Sequence, residues 1–542
     1  MKKIKTKKHN PCRCWQINRL CSVFAKDNGS EAGAVNQLLF RKRPDTHREL
    51  QDKATYDVNW KKGVCVQMVL DIIILILLSL FIITCLLLFI MRRQLIKRMV
   101  AKYGKTLMED RYQENLFEMV TGFKHMGIQR TFEINLRAES GDVLHRPLGS
   151  SKTWPDFEML TFIPAQVATF PTEYTEQVDF KVTIGPQAKQ PMELDIPLMI
   201  SGMAYGIALS KEVRLALSDA VNQLGTALNS GEGGVMEEEI DGTDKYILQF
   251  SKTSWSKEEQ LIKKASMIEI KFGQGALMSS GVVIPAEDLQ GDIRKVLNLD
   301  DGEEAVIHNH FFKDQTLEDF KNLVQELKEL TNGVPIGAKI AAGGKIEADI
   351  DALLEIDVDY IAVDGGQAAT HGAPPILSED FGIPTIHGLH RAHQHLQKKK
   401  ARDKVSLIIS GGMFTPGQFL KAIALGADAV YLGSAVLFTV SHKQVLNAVP
   451  FEPPTQVVWY DGKYKDDFNR QEGAKALVNY FNASVKEMEE GIRMMGKKAL
   501  SELSKDDLVA YDEGVARDFD VPYSVCSDEG SSEKKEEPMI EL

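Results

Sequence analysis

From residue 197 onward the chain repeats one pattern: a short, nearly unbroken apolar run, a turn rich in Gly or Ser, then a stretch of helical period. The apolar runs fall at 197–201, 224–230, 246–251, 267–272, 305–310, 335–340, 360–365, 405–410 and 429–434. Helices are predicted between them at 210–223, 256–265, 316–330, 345–355, 383–399 and 415–425. Continuous Val/Ile/Leu runs alternating with helices imply a parallel sheet covered on both faces. Nine strand candidates are one more than eight, so either 305–310 or 224–230 is expected to be a loop or irregular strand. The pattern predicts an α/β fold, a (β/α)8 TIM barrel, with an open doubly wound sheet as the competing arrangement.

A different pattern precedes it. Ile72 to Met91 reads IIILILLSLFIITCLLLFIM, twenty residues without a charge. As a helix rising 1.5 Å per residue it would be about 30 Å long, the thickness of a bilayer's hydrocarbon core. A core helix of that length would show a polar face, and no small-residue cleavage site follows, so a single membrane span within 65–91 is expected. Arg92, Arg93, Lys97, Arg98, Lys102 and Lys105 follow it, a flank of the kind found on the cytoplasmic side. The sequence reading is therefore a poorly ordered basic head (1–64), the span (65–91), a helical juxtamembrane linker (92–153), a barrel with its leading segment and C-terminal helices (154–525), and a disordered charged tail (526–542). Cys12, Cys14 and Cys21 near His9 do not have the spacing of paired metal-binding cysteines.

Composition adds less. With 44% apolar and 26% charged residues the chain is neither mostly disordered nor collagen-like. Six cysteines are too few for a disulfide scaffold. The net charge of −12 argues against a general nucleic-acid partner, although residues 1–62 carry 15 Lys/Arg against 6 Asp/Glu.

A (β/α)8 barrel carries its chemistry just after the strands. Those positions here hold Ser201-Gly202-Met203, Asn229-Ser230-Gly231-Glu232, Lys271 and Gln274, Lys339, Asp364-Gly365-Gly366, Ser410-Gly411-Gly412 and Gly433-Ser434. The last two ends match the place between strands seven and eight where backbone N–H groups hold a phosphate. Neither a G-x-G-x-x-G turn opening a helix nor a P-loop is found. His308, His310 and His371 also fall near strand ends; each alone is more often a hydrogen-bonding residue than an acid–base catalyst.

These residues carry a resemblance. The stretch Trp154-Pro155-Asp156-Phe157, then IPLMISGMAYG, ALNSGEGG, IEIKFGQGA, GAKIAAGG, VDGG with HGAPP behind it, SGGMFTPGQFLKAIALGADAVYLGS and EPPTQ occur in that order. Together they resemble the FMN-binding synthase domain of glutamate synthases, and more closely the short, stand-alone FMN-binding glutamate synthase family proteins. The resemblance covers about 154–440 and, more loosely, continues to 520. It implies FMN at the barrel mouth, with Ser201, Gly202 and Met203 along the ring, Asn229 and Glu232 near ring and substrate, and Lys339 near flavin N1/O2. It further implies Asp364, Gly365 and Gly366 as a cofactor turn, and Gly411, Gly412, Gly433 and Ser434 as the phosphate grip. The implied reaction is reduction of a 2-imino acid, formed from 2-oxoglutarate and ammonia, to glutamate. Lys271 with Gln274 is then the candidate clamp for the acid, with Glu232 polarising the imine nitrogen; the alternative for Lys271 is a structural ion pair.

The chain also departs from that pattern. Where full-length glutamate synthases have a KPGEGG turn after QGA, this chain reads QGALMSSGVVIP. Leu432 to Asp520 contains no cysteine, so no 3Fe–4S cluster is expected there. No glutaminase domain with an N-terminal cysteine is expected, so ammonia would arrive free or from a partner and electrons from an unidentified donor. An FMN enzyme acting on a different oxo or imino acid, and a non-catalytic tethered flavoprotein, remain alternatives. Self-association is left open.

Overall fold

The computed structural model describes residues 47–112, 117–146, 148–255, 257–289, 292–370, 372–447 and 454–525. The basic head up to residue 46, its cysteines and the charged tail from 526 lie outside the described residues. Two compact units divide at Thr131 and Phe132.

In the first unit, one helix runs from His47 to Glu109. Its part Val69–Glu109 is long and apolar enough to cross a membrane, with a mean hydropathy of 3.3 in its most apolar window and none of that window buried. A shorter helix, Phe117–Met126, follows.

The second unit is built on eight strands: β1 (Leu198–Ile200), β2 (Leu228–Asn229), β3 (Tyr246–Phe250), β4 (Met267–Lys271), β5 (Ile336–Ala341), β6 (Tyr360–Asp364), β7 (Ser406–Ser410) and β8 (Ala429–Leu432). They pair in parallel and close into a barrel, β8 joining β1 through Val430 opposite Leu198 and β4 joining β5 through Ile268 opposite Ile336. Of the two runs whose status the pattern left open, 305–310 is the one excluded. Its Ala305–Ile307 pairs antiparallel with Val282–Ile284 in a separate two-stranded sheet. The run at 224–230 keeps only two residues of strand, enough to close the barrel between β1 and β3.

The predicted helices form at 211–224, 259–264, 317–330, 346–355, 385–398 and 416–424. Local chemistry sets two of their starts. Thr316 and Asp319 cap one reciprocally, and Thr415 and Gln418 cap another with Pro416 at its first position, where a missing N–H costs nothing. A further helix, Arg470–Met494, packs against Lys211–Leu224. Leu160–Phe162 pairs antiparallel with Leu508–Ala510, tying the segment before the barrel to the one after it.

The barrel is sealed at one end. Ile184, Met192 and Leu194, from the hairpin 182–184/192–194, cluster with Met199, Ile247, Met267 and Tyr360 near the strand starts. Above that apolar layer lies a polar one: buried Glu269 accepts hydrogen bonds from Asn229 Nδ2 (2.8 Å), Gln249 Nε2 (2.7 Å) and the Tyr431 hydroxyl (2.9 Å). The C-terminal strand ends remain open, and they carry Lys271, Lys339 and Asp364.

On the outer helix 385–398, burial first, and the Arg402 guanidinium second, push His393 down to about 4. Arg402 Nε donates to His393 Nδ1 at 3.3 Å, so that nitrogen must carry a lone pair. A folded-state value below the unfolded 6.5 means the unfolded chain binds more protons between pH 6.5 and 4, so stability falls as pH falls through that window. With partial solvent access the effect is about 1–2 kcal/mol. Melting temperatures of wild type and His393→Asn from pH 7 to 4.5 check this: the variant should show the shallower slope, and equal slopes would contradict the assignment.

Candidate active site

The open end of the barrel holds a cavity of about 860 Å³, within the range of roughly 300–1,000 Å³ typical of small-molecule sites. Its wall takes residues from every strand end, from the 148–154 segment and from the 282–284 strand. Ser201, Gly202, Met203, Glu232, Lys271, Gln274, Lys339, Asp364, Gly411, Gly412, Gly433 and Ser434 all line it. Asn229, Gly365 and Gly366 stand behind it. Asn229 belongs to the Glu269 layer, its Nδ2 also reaching the Tyr431 hydroxyl (3.2 Å) and its Oδ1 accepting from Gly231 N (2.9 Å). A Cβ on Gly365 would stand 2.0 Å from Thr385 Oγ1, so this glycine admits a helix to the barrel.

Two ion pairs dominate the floor. Lys339, at the end of β5, lies with Nζ 3.2 Å from Asp364 Oδ1 and 3.4 Å from Ser201 Oγ. Burial works against its ammonium, but Asp364 and then Glu269 outweigh it and hold Lys339 above the usual lysine value. Asp364 is further fixed by Gly275 N, which donates to Oδ2 at 3.2 Å. Lys271, at the end of β4, pairs with Glu232, from the loop after β2. Here burial prevails over Glu232, and Lys271 is held below the usual value. The two expected substrate residues Lys271 and Glu232 therefore meet each other, and Gln274 turns its amide to Thr370 Oγ1 (3.1 Å).

On the opposite wall Gly411 and Gly412 have φ of 126° and 65°, backbone that a side chain disfavours. Beside them, after the neighbouring strand β8, Gly433 precedes the helix Ser434–Ser441, whose first-turn N–H groups have no intrahelical acceptor. No protein atom lies within 4 Å of where a Gly433 Cβ would stand. Bare backbone, a helix N-terminus and space left open together suit an anionic phosphate.

Two residues escaped the sequence reading. Lys252 follows β3 and donates from Nζ to the carbonyls of Phe272 (2.8 Å) and Ser279 (3.3 Å), in a recess shared with Lys271 and Glu232. Its signal was its position just past a strand, but that turn lacks the glycines of the others. Arg214, on the helix 211–224, is fully buried. It donates from Nη1 to the carbonyls of Met203 (2.7 Å) and Asn229 (3.1 Å) and pairs with Glu239, so one guanidinium holds two loops of the site. His308 is exposed at the recess rim, His310 is exposed, and His371 lies outside the described residues.

A fold and a site of this kind define a barrel enzyme with its chemistry at the strand ends. A family model described as the conserved region in glutamate synthase matches residues 151–498. The chain belongs to the glutamate synthase family, a family of oxidoreductases. An archaeal-type glutamate synthase [NADPH] of Dehalococcoides mccartyi is 28% identical over 389 residues, 68% of this chain and 78% of that protein. A glutamate synthase large subunit-like protein of Rhizobium meliloti is 28% identical over 73% of this chain and 93% of its own length. Among solved structures, a flavocytochrome b2 with benzoylformate overlaps with a TM-score of 0.45 and 17% identity, covering 73% of this chain and 88% of that one.

Proposed function

We propose that this chain is an FMN-dependent oxidoreductase acting on a 2-oxo or 2-imino acid, held at a membrane by the helix through Val69–Glu109 with its barrel on the cytoplasmic side. The observation that carries the reading is the meeting, in one cavity, of the Gly411-Gly412 and Gly433-Ser434 backbone with the buried Lys339–Asp364 pair. The first set fits a phosphate, and the second supplies a buried cation that would counter the negative charge of a reduced flavin. FMN bound there supplies the hydride that reduction of an imine requires. Gly411, Gly412 and the start of the helix 434–441 would hold its phosphate. Ser201, Gly202 and Met203, which line the same cavity, would contact its ring. Lys339, kept protonated by Asp364, would counter negative charge on the reduced ring.

The family's glutamate-forming reaction and the reduction of another oxo or imino acid divide at Lys271. With Glu232 already against Lys271, the recess that both share with Lys252 keeps one net positive charge, enough for one carboxylate and not two, which favours an acid other than 2-oxoglutarate. The test is anaerobic: photoreduced full-length protein in detergent is mixed with 2-oxo acids, with and without ammonium. Reoxidation of the flavin by at least one acid supports the reading, and a reduced flavin inert to all of them contradicts it.

The phosphate grip gives its own prediction. Gly412→Ala places a Cβ in left-handed backbone and 2.7 Å from Gln367 Cβ, at a cost of about 1–2 kcal/mol. FMN affinity, titrated by flavin fluorescence, should fall by about ten-fold or more; unchanged affinity would remove this turn from the cofactor site.

A further inference from the structure

A small recess beside the main cavity gathers charged side chains. Lys252, Lys271 and Glu232 line it together, two ammonium groups against one carboxylate. Lys252 is 9% exposed and its bonds run to neutral carbonyls; the carboxylate that acts on it through space, Glu232, is already held by Lys271. Burial, and then Lys271, hold Lys252 below the ordinary lysine value, and burial does the same to Lys271. Both are conditions that an added anion relieves. The recess has a volume of about 10 Å³, room for one water-sized group such as a carboxylate oxygen.

Beyond the recess the cavity offers a different chemistry. Leu277, Val282, Ile284 and Ile307 line it from the loop after β4 and from the antiparallel pair 282–284/305–307, and Ile207 faces it from the loop after β1. Among the described residues the remaining cations of the wall are accounted for. Lys339 is paired with Asp364, while Lys152 is exposed, lies 4.4 Å over the Trp154 ring and donates to the Glu379 carbonyl. A second carboxylate would therefore enter an apolar lane with no buried cation to receive it, and an unpaired buried charge is costly.

We propose that the cavity takes a monocarboxylic acid, its carboxylate against Lys252 and Lys271 and an apolar chain along Leu277, Val282, Ile284 and Ile307, in preference to a dicarboxylic acid. The inference rests on the reading of this cavity as the substrate side of the site, and its test does not depend on flavin. The full-length protein in detergent is dialysed to equilibrium against radiolabelled hexanoate, with detergent alone as the blank, and glutarate and hexanamide compete for the label. Hexanoate should be retained, with glutarate at least about ten-fold weaker and hexanamide failing to compete. Lys252→Gln should weaken retention by about ten-fold or more. Val282→Lys, which puts a cation in the lane and leaves the recess intact, should move the preference toward glutarate by a similar factor. Glutarate binding as well as or better than hexanoate in the wild type, or hexanamide competing equally, would overturn the proposal and leave the FMN reading standing. Hexanoate retained by a chain that takes up no FMN would overturn that reading and leave this one.

Discussion

Replacing Lys339 by Met is expected to destabilise the protein by about 3–5 kcal/mol, the usual cost of removing one partner from a buried ion pair. Its side chain is 3% exposed and that of Asp364 5%, so the carboxylate left behind has little access to water. The cost comes from that stranded charge more than from the lost attraction, because Glu269, in the layer beneath, adds a second carboxylate. Lys339→Met with Asp364→Asn should therefore recover a substantial part of the loss. Chemical denaturation of the single and double variants checks this. A single variant as stable as wild type, or a double variant whose losses simply add, would contradict the pairing. Lys339→Met should also bind FMN more weakly, even where the protein stays folded.

Arg214→Met is expected to have an effect of similar size, by a different route. Glu239 would lose its buried partner, and the carbonyls of Met203 and Asn229 would lose their shared donor. The stranded carboxylate alone accounts for about 3–5 kcal/mol. The carbonyls add a loss that a stability measurement does not separate: the loop 201–204 is no longer tied to the loop after β2, and both line the cavity. Arg214→Lys distinguishes the two contributions, because an ammonium can still meet Glu239 but lacks the planar fork that reaches both carbonyls. It should keep more stability than Arg214→Met while losing ligand affinity by a comparable factor. If Arg214→Lys bound FMN as tightly as wild type, the guanidinium would have no role in setting the loops.

The barrel was legible because its strands are buried on both faces and read as unbroken Val/Ile/Leu runs, as in VSLIIS before Gly411. The strand to exclude was not, because AVIHNH has the same apolar start as its neighbours; its antiparallel partner 282–284 decided the matter, and that pairing leaves no mark in local periodicity. C-terminal helices were expected without bounds; those of 470–494 are hard to read because its buried positions include Gly473, Ala474 and Ser484, which dilute an apolar stripe. At the site, glycine-rich strand ends pointed to the cavity wall, but only residue type and order could be read there. That Lys271 would meet Glu232, 39 positions earlier, depends on β2 and β4 flanking β3 in the barrel. Asn229 shows the same limit: the family resemblance implied a place near the ring and substrate, and its side chain joins the interior layer with Glu269 and Tyr431. Lys252 was passed over because FSKTSW carries no glycine to mark it as a turn that a ligand approaches.

The most direct test is the cofactor content of the full-length protein purified in detergent. The visible spectrum is recorded, the protein is denatured, and any released chromophore is identified and counted against chain concentration. The account expects an oxidised-flavin spectrum and FMN released at close to one per chain. A folded, colourless protein that takes up no added FMN would contradict it.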